Sequence, residues 1–465
     1  MGVKCNPKRP KILLVPYPAQ GHVNPMLKLG LSFVSHGFEP IVVTPEFIHH
    51  RIAANLDPHK GEVRFVSIPD GLDGEKGPLD FFSIEKSMEN VMPIYLESLL
   101  RKFDEDEGKV VCLVIDLLAS WAIQVAERCG IPAAGFWPAM QVTYRLITAI
   151  PEMIHSDLIS ETGCPRHQGT VLSLPSQPLL STEDLPWLIG TQASRKARLK
   201  FWTRTLERST TLPWLLINSF PREFIDEYEA DVRIAPPHAS PIVFPVGPLT
   251  KPSLTTVKNP SFWKEDTNCL DWLNHHESNS VIYVSFGSWV SPVGDAKIKT
   301  LALTLESLNR PFIWVLAESW RQGLPNGYSE RVSKQGKLVS WAPQLQILRH
   351  KAVGVYITHC GWNSTMEAIQ CRKRLLCYPV AGDQFVNCKY IVKVWKIGVR
   401  LNGLELKDVE EAVRKVTEDE EMEGRLMKIY QRTMGEEASS SVMGNLKAFI
   451  FGLNQVQHLK DVKTF

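Results

Sequence analysis

The chain has 465 residues, 44% of them hydrophobic and 22% charged, and 52 lysines and arginines against 50 aspartates and glutamates leave a formal charge of +2. That length exceeds one ordinary hydrophobic core and predicts two or three domains, while the composition excludes a disordered or fibrous chain. So small a charge, with no dense Lys/Arg run, gives no basis for a nucleic-acid or anionic-membrane partner.

The opening stretch MGVKCNPKRPKILLVPYP carries basic residues, but its apolar part is short and broken by Pro16 and Pro18. It reads as a first strand over Lys11 to Val15 rather than a signal peptide. Asn6 stands where myristoylation requires Ser or Thr, and the last three residues form no prenylation or retention signal. Asn24 followed by Pro25 predicts a helix start, with Asn24 as N-cap and proline at the first helical position. Met26, Leu29, Gly30, Phe33 and Val34 follow at helical spacing, and Gly37 closes the helix. Ile41 to Thr44 is the next strand, which makes a βαβ unit legible. Val110 to Ala126 is the longest apolar segment, but Asp116 interrupts it and it is short for a bilayer helix. It reads as a strand over Val110 to Ile115 running into a helix over Ser120 to Cys129, with Ala133 to Phe136 as the strand after that.

Between 151 and 210 Pro, Ser and Thr are frequent and periodicity is weak, so a ligand-binding insertion and a surface excursion are equally good readings. The shift to Pro, Ser, Thr and Val over 235–262 marks an interdomain linker. A second strand-helix series follows, with strands at Val281 to Ser285, Phe312 to Leu316, Lys337 to Ser340, Val355 to Thr358 and Leu375 to Tyr378. Short apolar runs alternating with amphipathic stretches predict an α/β protein of two doubly wound domains facing a cleft, with ligands at the carboxyl ends of the strands. The expected division is 1–249, a linker at 250–262, 263–440, and a helical segment at 441–465 that returns to the N-terminal domain. The nine cysteines are scattered, with no CxxC pair and no Cys/His set at zinc spacing. A disulfide framework and a structural zinc are therefore not expected, and a reducing, cytoplasmic setting is.

The chemistry concentrates between Trp341 and Gln384 (WAPQLQILRHKAVGVYITHCGWNSTMEAIQCRKRLLCYPVAGDQ). Trp341 directly follows a strand, where its indole is either a stacking platform for a base or a core residue. His359-Cys360-Gly361-Trp362-Asn363-Ser364 follows another strand and opens a helix, so its backbone N–H groups form a natural diphosphate site. Ser364 and Glu367 also stand at capping-box spacing, a structural reading compatible with the first. Asp383-Gln384 offers acceptors for sugar hydroxyls. His22 lies just after the first strand and Asp116 at the end of another. Each alone reads as a helix cap, although a histidine's pKa near 6.5 would also suit proton abstraction. His49 and His50 match nothing and read as surface residues.

In order and spacing, Trp341-Ala342-Pro343-Gln344, His359 to Thr365, Glu367 and Asp383-Gln384 resemble the signature box of the plant secondary-product, or family 1, UDP-glycosyltransferases. Gly21 to Pro25, Leu113 to Asp116, Val246 to Leu249 and Tyr283 to Ser288 are similar to further landmarks of that family, so the likeness extends along essentially the whole chain. It implies a GT-B fold, with two Rossmann-like domains, the acceptor in the N-terminal one and the UDP-sugar in the C-terminal one. It implies that Trp341 stacks on uracil, that the Ala342 backbone pairs with the base edge, and that Gln344 and Glu367 hold the ribose. His359, Gly361, Asn363, Ser364 and Ser288 would face the diphosphate, and Trp362, Asp383 and Gln384 the sugar, with glucose favoured. His22 would be the general base, supported by Asp116, for inverting and metal-independent transfer from UDP-glucose to a small hydroxylated acceptor. No cofactor is implied, and a monomer is expected.

The chain departs from the family pattern in three places. Arg372-Lys373-Arg374 replaces the usual Gly-Val-Pro, where it would complement the negative end of the phosphate helix or alter the turn before Leu375. Pro138 stands in place of a hydroxyl near the sugar, and Gly382 in place of Ala. These departures keep open a second reading, a UDP-sugar-binding protein impaired in catalysis. A nicotinamide-dependent oxidoreductase lacks its fingerprint, since no G-x-G-x-x-G follows any strand, and no P-loop sequence occurs either.

Overall fold

A computed structural model describes residues 9–53, 63–72, 80–167, 169, 171–172, 180–221, 223, 241–249, 262–288 and 294–463. The first sheet contains β1 (Lys11–Val15), β2 (Glu39–Pro45), β3 (Arg64–Ile68), β4 (Val110–Asp116) and β5 (Ala133–Trp137). A short antiparallel ribbon of β6 (Val171–Leu172) and β7 (Leu180–Ser181) stands apart, and β8 (Trp214–Ile217) and β9 (Ile242–Pro245) complete the sheet. Its order is β3-β2-β1-β4-β5-β8-β9, with every pairing parallel. The second sheet is built from β10 (Val281–Ser285), β11 (Phe312–Val315), β12 (Gly336–Val339), β13 (Val353–Thr358), β14 (Arg374–Cys377) and β15 (Gly398–Arg400). These also run parallel, in the order β12-β11-β10-β13-β14-β15. The continuous apolar runs KILLV and VIYVS are wholly buried, as strands covered by helices on both faces must be.

Each sheet reverses its strand order once, between β1 and β4 in the first and between β10 and β13 in the second. A ligand crevice forms at such switch points, outside the carboxyl ends of the strands. At these four strand ends stand Gly21 and His22 in the first turn of the helix after β1, Asp116 as the last residue of β4, Ser288 beyond β10, and His359 to Gly361 beyond β13.

The first helix spans Gln20–Val34 with Ala19 at its N-cap, so it starts earlier than the Asn24-Pro25 signal predicts and holds Pro25 inside it. The proline is tolerated because it stands near the helix start, where the missing N–H costs only the bond to the Gly21 carbonyl. The 235–262 linker is also overdrawn: Ile242 to Val246 is apolar enough to form β9 at the sheet edge. Residues 250–261 lie outside the described residues. Within 151–210, helices occupy Ile150–His155 and Gln192–Ser209. His49 is half-buried with Nδ1 3.1 Å from Thr44 Oγ1, so it is no bare surface residue.

The last helix, Glu436–Lys463, leaves the C-terminal half and packs on the N-terminal sheet. Its fully buried Phe449 has ring centroids 6.1 Å from Phe33, 5.6 Å from Trp214 and 6.1 Å from Phe244, and Asn445 Nδ2 donates to the Pro245 carbonyl at 2.8 Å. Among the described residues no helix is long and apolar enough to cross a membrane.

Candidate active site

A cavity of about 1130 Å³ runs between the two sheets and is lined from both halves. All fourteen residues singled out in the sequence, from His22 and Asp116 to Gln384, lie on this cavity or, for Asp116, directly behind it. Val246 to Leu249 and Pro138 line it as well.

At the mouth of the N-terminal half, His22 Nδ1 lies 2.7 Å from Asp116 Oδ2. Asp116 is fully buried, and its other oxygen accepts from the Leu118 N–H at 2.9 Å, so it is both a helix cap and the partner of His22. A carboxylate on Nδ1 fixes the tautomer and leaves Nε2 as the proton acceptor. The His22 side chain is one-fifth exposed, which keeps that nitrogen within reach of a ligand. Tyr17 packs beside it with ring centroids 5.1 Å apart.

Across the cleft, Gly361 is the N-cap of the helix Trp362–Gln370, and no side chain caps it. Ser364 therefore stands inside the first turn, and its spacing to Glu367 does not form a capping box. Both instead meet Gln344, whose Nε2 donates to Ser364 Oγ at 3.0 Å and Glu367 Oε2 at 2.8 Å, while its Oε1 accepts from Tyr283 and Tyr356. An uncapped helix start presents backbone N–H groups and a positive dipole end, as an anion site requires. His359 sits beside it, clasped so closely that a Cβ on Gly287 or Gly361 would come 2.6 or 2.5 Å from its Nε2. Its Nδ1 is buried without a hydrogen-bond partner among the described residues. Burial drives its pKa down to about 4, so the ring is neutral and acts as a hydrogen-bonding group rather than a cation.

Trp341 is half-buried and packs on Trp263 with ring centroids 4.7 Å apart. Ala342 is buried beside it. Gln384 Oε1 accepts from the N–H groups of Val380 and Ala381 at 2.9 Å each, which fixes the amide at the cavity wall. Asp383 Oδ2 accepts from Asn387 Nδ2 at 2.9 Å; burial raises its carboxyl pKa, opposed by that bond and by the field of His22. Asp383 and His22 line the same cavity from different halves of the chain. Gly382 has a φ of +64°, a conformation that suits glycine better than the alanine of the family pattern.

Two residues of the Trp341 to Gln384 segment also tie the halves together. Asn363 Nδ2 donates at 2.8 Å to the Gly21 carbonyl, the group that Pro25 leaves without an intrahelical donor. Trp362 is buried, and its indole N–H donates to the Asn218 carbonyl at 2.6 Å, so that N–H is spent across the interface rather than on the cavity. Asn218 further donates to the Pro138 carbonyl at 3.1 Å and to Asn363 Oδ1 at 3.4 Å, and accepts from the Leu249 N–H at 2.8 Å.

None of the three cations lines this cavity. Lys373 is buried and donates to the carbonyls of Val353 at 2.6 Å and His350 at 3.3 Å, while Arg372 lies 3.9 Å from Glu423. Lys373 thus holds the turn before β14, while Arg374 Nε is buried without a hydrogen-bond partner among the described residues; the sequence pattern did not distinguish such a role from a change to the donor site.

Sequence reasoning missed Asn218, Trp263, Lys28 and Arg198, all but Asn218 on the cavity wall. A tryptophan at the edge of a polar linker and a lysine in an apolar helix were the available signals; Asn218 gave none. It also missed a cluster of buried cysteines, since Cys360, Cys377 and Cys388 are distant in sequence yet their sulfurs lie within 4.8 Å of one another.

The family model described as UDP-glucoronosyl and UDP-glucosyl transferase matches residues 264–432. The chain is 54% identical over 449 residues to UDP-glycosyltransferase 82A1 of Arabidopsis thaliana, covering 93% of this chain and 96% of that one. It is 32% identical over 462 residues to UDP-glycosyltransferase 83A1 of the same plant, covering 95% and 96%. Among solved structures it is similar to a UDP-glucose: anthocyanidin 3-O-glucosyltransferase in complex with UDP, with a TM-score of 0.79 and 23% identity over 96% of this chain and 99% of that one.

Proposed function

The chain belongs to the plant UDP-glycosyltransferases, enzymes of the GT-B fold, and we propose that it transfers glucose from UDP-glucose to a hydroxyl of a small acceptor with inversion at the anomeric carbon. The observation that carries this reading is the 2.7 Å His22–Asp116 pair opening onto the same cavity as the donor-site segment Trp341 to Gln384.

On this reading uracil stacks on Trp341, which Trp263 backs, and pairs with the Ala342 backbone. Gln344 and Glu367 hold the ribose. The diphosphate meets the helix start at Gly361 to Ser364, His359 and Ser288, and Lys28 adds a cation from the opposite wall. Asp383, Gln384 and the ring of Trp362 border the sugar. The acceptor oxygen attacks the anomeric carbon from the face opposite UDP, its proton passes to His22 Nε2, and the bond to the diphosphate oxygen breaks as the new bond forms. Asp116 stabilises the imidazolium. The helix dipole and neutral donors stabilise the departing diphosphate, a role that needs no metal or other cofactor.

Residues 1–249 then form the acceptor-binding domain and 263–440 the donor domain, with 441–465 returning to the first. A cavity lined within one chain supports the reading of a monomer. The eight described cysteines are free, which suits the cytoplasm. UDP-glucose should give the highest turnover among common UDP-sugars, and its α-linked glucose should emerge as a β-glucoside by NMR. A preference for UDP-glucuronic acid or UDP-galactose, or an α-linked product, contradicts the assignment.

A further inference from the structure

Away from the donor site the cavity extends into an aromatic chamber walled by Phe81, Trp137 and Trp202, the last two with ring centroids 5.8 Å apart. One cation lines this chamber, Arg198 of the helix Gln192–Ser209. Its neighbours along that helix are ion-paired to the helix Phe81–Asn90: Arg204 with Glu85 at 2.5 Å, and Arg208 with Glu89 at 2.8 Å. Arg198 differs in making no ion pair among the described residues. It lies 4.6 Å over the Phe81 ring and 5.5 Å from that of Phe82, and its Nε, like that of Arg204, is buried without a hydrogen-bond partner. The carboxylates in its field are already engaged, Asp80 as N-cap acceptor for Ser83 and Glu85 by Arg204. A second orphaned polar atom, the buried Thr143 Oγ1, belongs to a residue of the same wall.

A guanidinium stacked on an aromatic ring keeps its in-plane donors for a planar partner, and a carboxylate is the partner that matches its fork. An apolar chamber strengthens that pairing and penalises leaving the donors unmet. Tyr17 lies in the field of Arg198 and packs on His22, which links the cation to the reacting end of the chamber.

We propose that Arg198 sets acceptor choice, and that the preferred acceptors are hydroxylated aromatic molecules bearing a carboxylate, held with the carboxylate at Arg198, the ring among Trp137, Trp202 and Phe81, and the hydroxyl at His22. This rests on the transferase reading above.

The test compares para-hydroxycinnamate with its methyl ester, by turnover with UDP-glucose and by quenching of tryptophan fluorescence in the presence of UDP. Wild-type enzyme should prefer the acid in both measurements. In Arg198→Met the acid-over-ester ratio of kcat/KM should fall roughly tenfold to a hundredfold, and Arg198→Lys should keep part of it. The product should be the phenolic glucoside, stable to mild alkali. An ester preference in wild type, an unchanged ratio in Arg198→Met, an alkali-labile glucose ester, or no saturable binding of either compound overturns the proposal. Should Arg198→Met not fold, the wild-type pair and Arg198→Lys decide. Tighter binding of the acid without turnover of either compound leaves Arg198 in its role and removes the transferase reading instead.

Discussion

The bond between His22 and Asp116 joins an imidazole on a helix start to a carboxylate that no solvent reaches. Removing a general base costs about 10²–10⁴ in rate, so His22→Ala should lose glucosylation by that order while UDP still binds, the donor wall belonging to the other half. Asp116→Asn should also slow turnover, and the double variant should be scarcely worse than His22→Ala, because members of one catalytic unit are not additive. Full activity in His22→Ala, or lost stability with normal rates per folded molecule, points to two independent caps instead. His359 supports a prediction in pH. Its folded pKa is about 4, while an unfolded histidine titrates near 6.5. Between those values the unfolded chain binds a proton that the folded chain does not. Stability is therefore unaffected above about pH 6.5 and falls as pH drops towards 4, by up to about 3 kcal/mol. Urea denaturation of wild type and His359→Gln over this range checks it: the wild-type slope should be the steeper, and equal slopes refute it. At this scale the site was largely legible, because a signature carries residue identity and order. Its physical meaning was less so, since nothing in the letters says that His359 is buried and neutral or that Trp362 has committed its N–H to Asn218.

The turn between the helix Trp362–Gln370 and β14 shows what a departure from the family pattern does within an element. Arg372 has a φ of +52°, where a side chain is strained and glycine is not, so the glycine of the family pattern fits the backbone better than arginine does. Lys373, by contrast, has taken on a structural task, meeting two carbonyls at the start of β13. Replacing all three cations by Gly-Val-Pro would mix opposite effects, so the single variants are more informative. Arg372→Gly should stabilise by about 1 kcal/mol, and Lys373→Met should destabilise by about 1–3 kcal/mol by stranding buried carbonyls, with UDP-glucose affinity little changed in either. Thermal melts with and without UDP-glucose test both, and a large change in donor affinity would return the turn to the donor site. Strands were the elements best read from sequence, since β1, β4, β10 and β13 are unbroken apolar runs. The helix Gln192–Ser209 went unseen because it buries only Leu199, Phe201, Thr205 and Ser209, too thin a stripe for periodicity to register among its charges.

Across the whole molecule, the two-domain plan and the cleft could be read from alternating strand and helix patterns, but the contacts that join the halves could not. They arise between residues 144 to 342 positions apart: Gln20 Oε1 with the Phe262 N–H at 3.0 Å, the Gly21 carbonyl with Asn363, and Asn218 with both Trp362 and Asn363. No local propensity encodes such a pairing. Asn218 is the centre of the set, because its buried amide also braces Pro138 and Leu249 within its own half. Asn218→Ala removes every side-chain bond at once and leaves the Pro138 carbonyl and the Leu249 N–H without that partner. Each stranded buried group costs about 1–3 kcal/mol. The Trp362 bond to the Asn218 backbone survives the substitution, so the halves should loosen rather than separate. Calorimetry should show a lower midpoint, with a single transition in wild type broadening or splitting as the two sheets unfold less cooperatively. On the proposed reading, with UDP on the C-terminal wall and His22 as the base, UDP binding should fall less than transfer. A variant with unchanged midpoint, transition shape and transfer rate would mean that the burial of Phe449 and its neighbours on the returning helix, rather than the Asn218 contacts, sets the coupling of the halves.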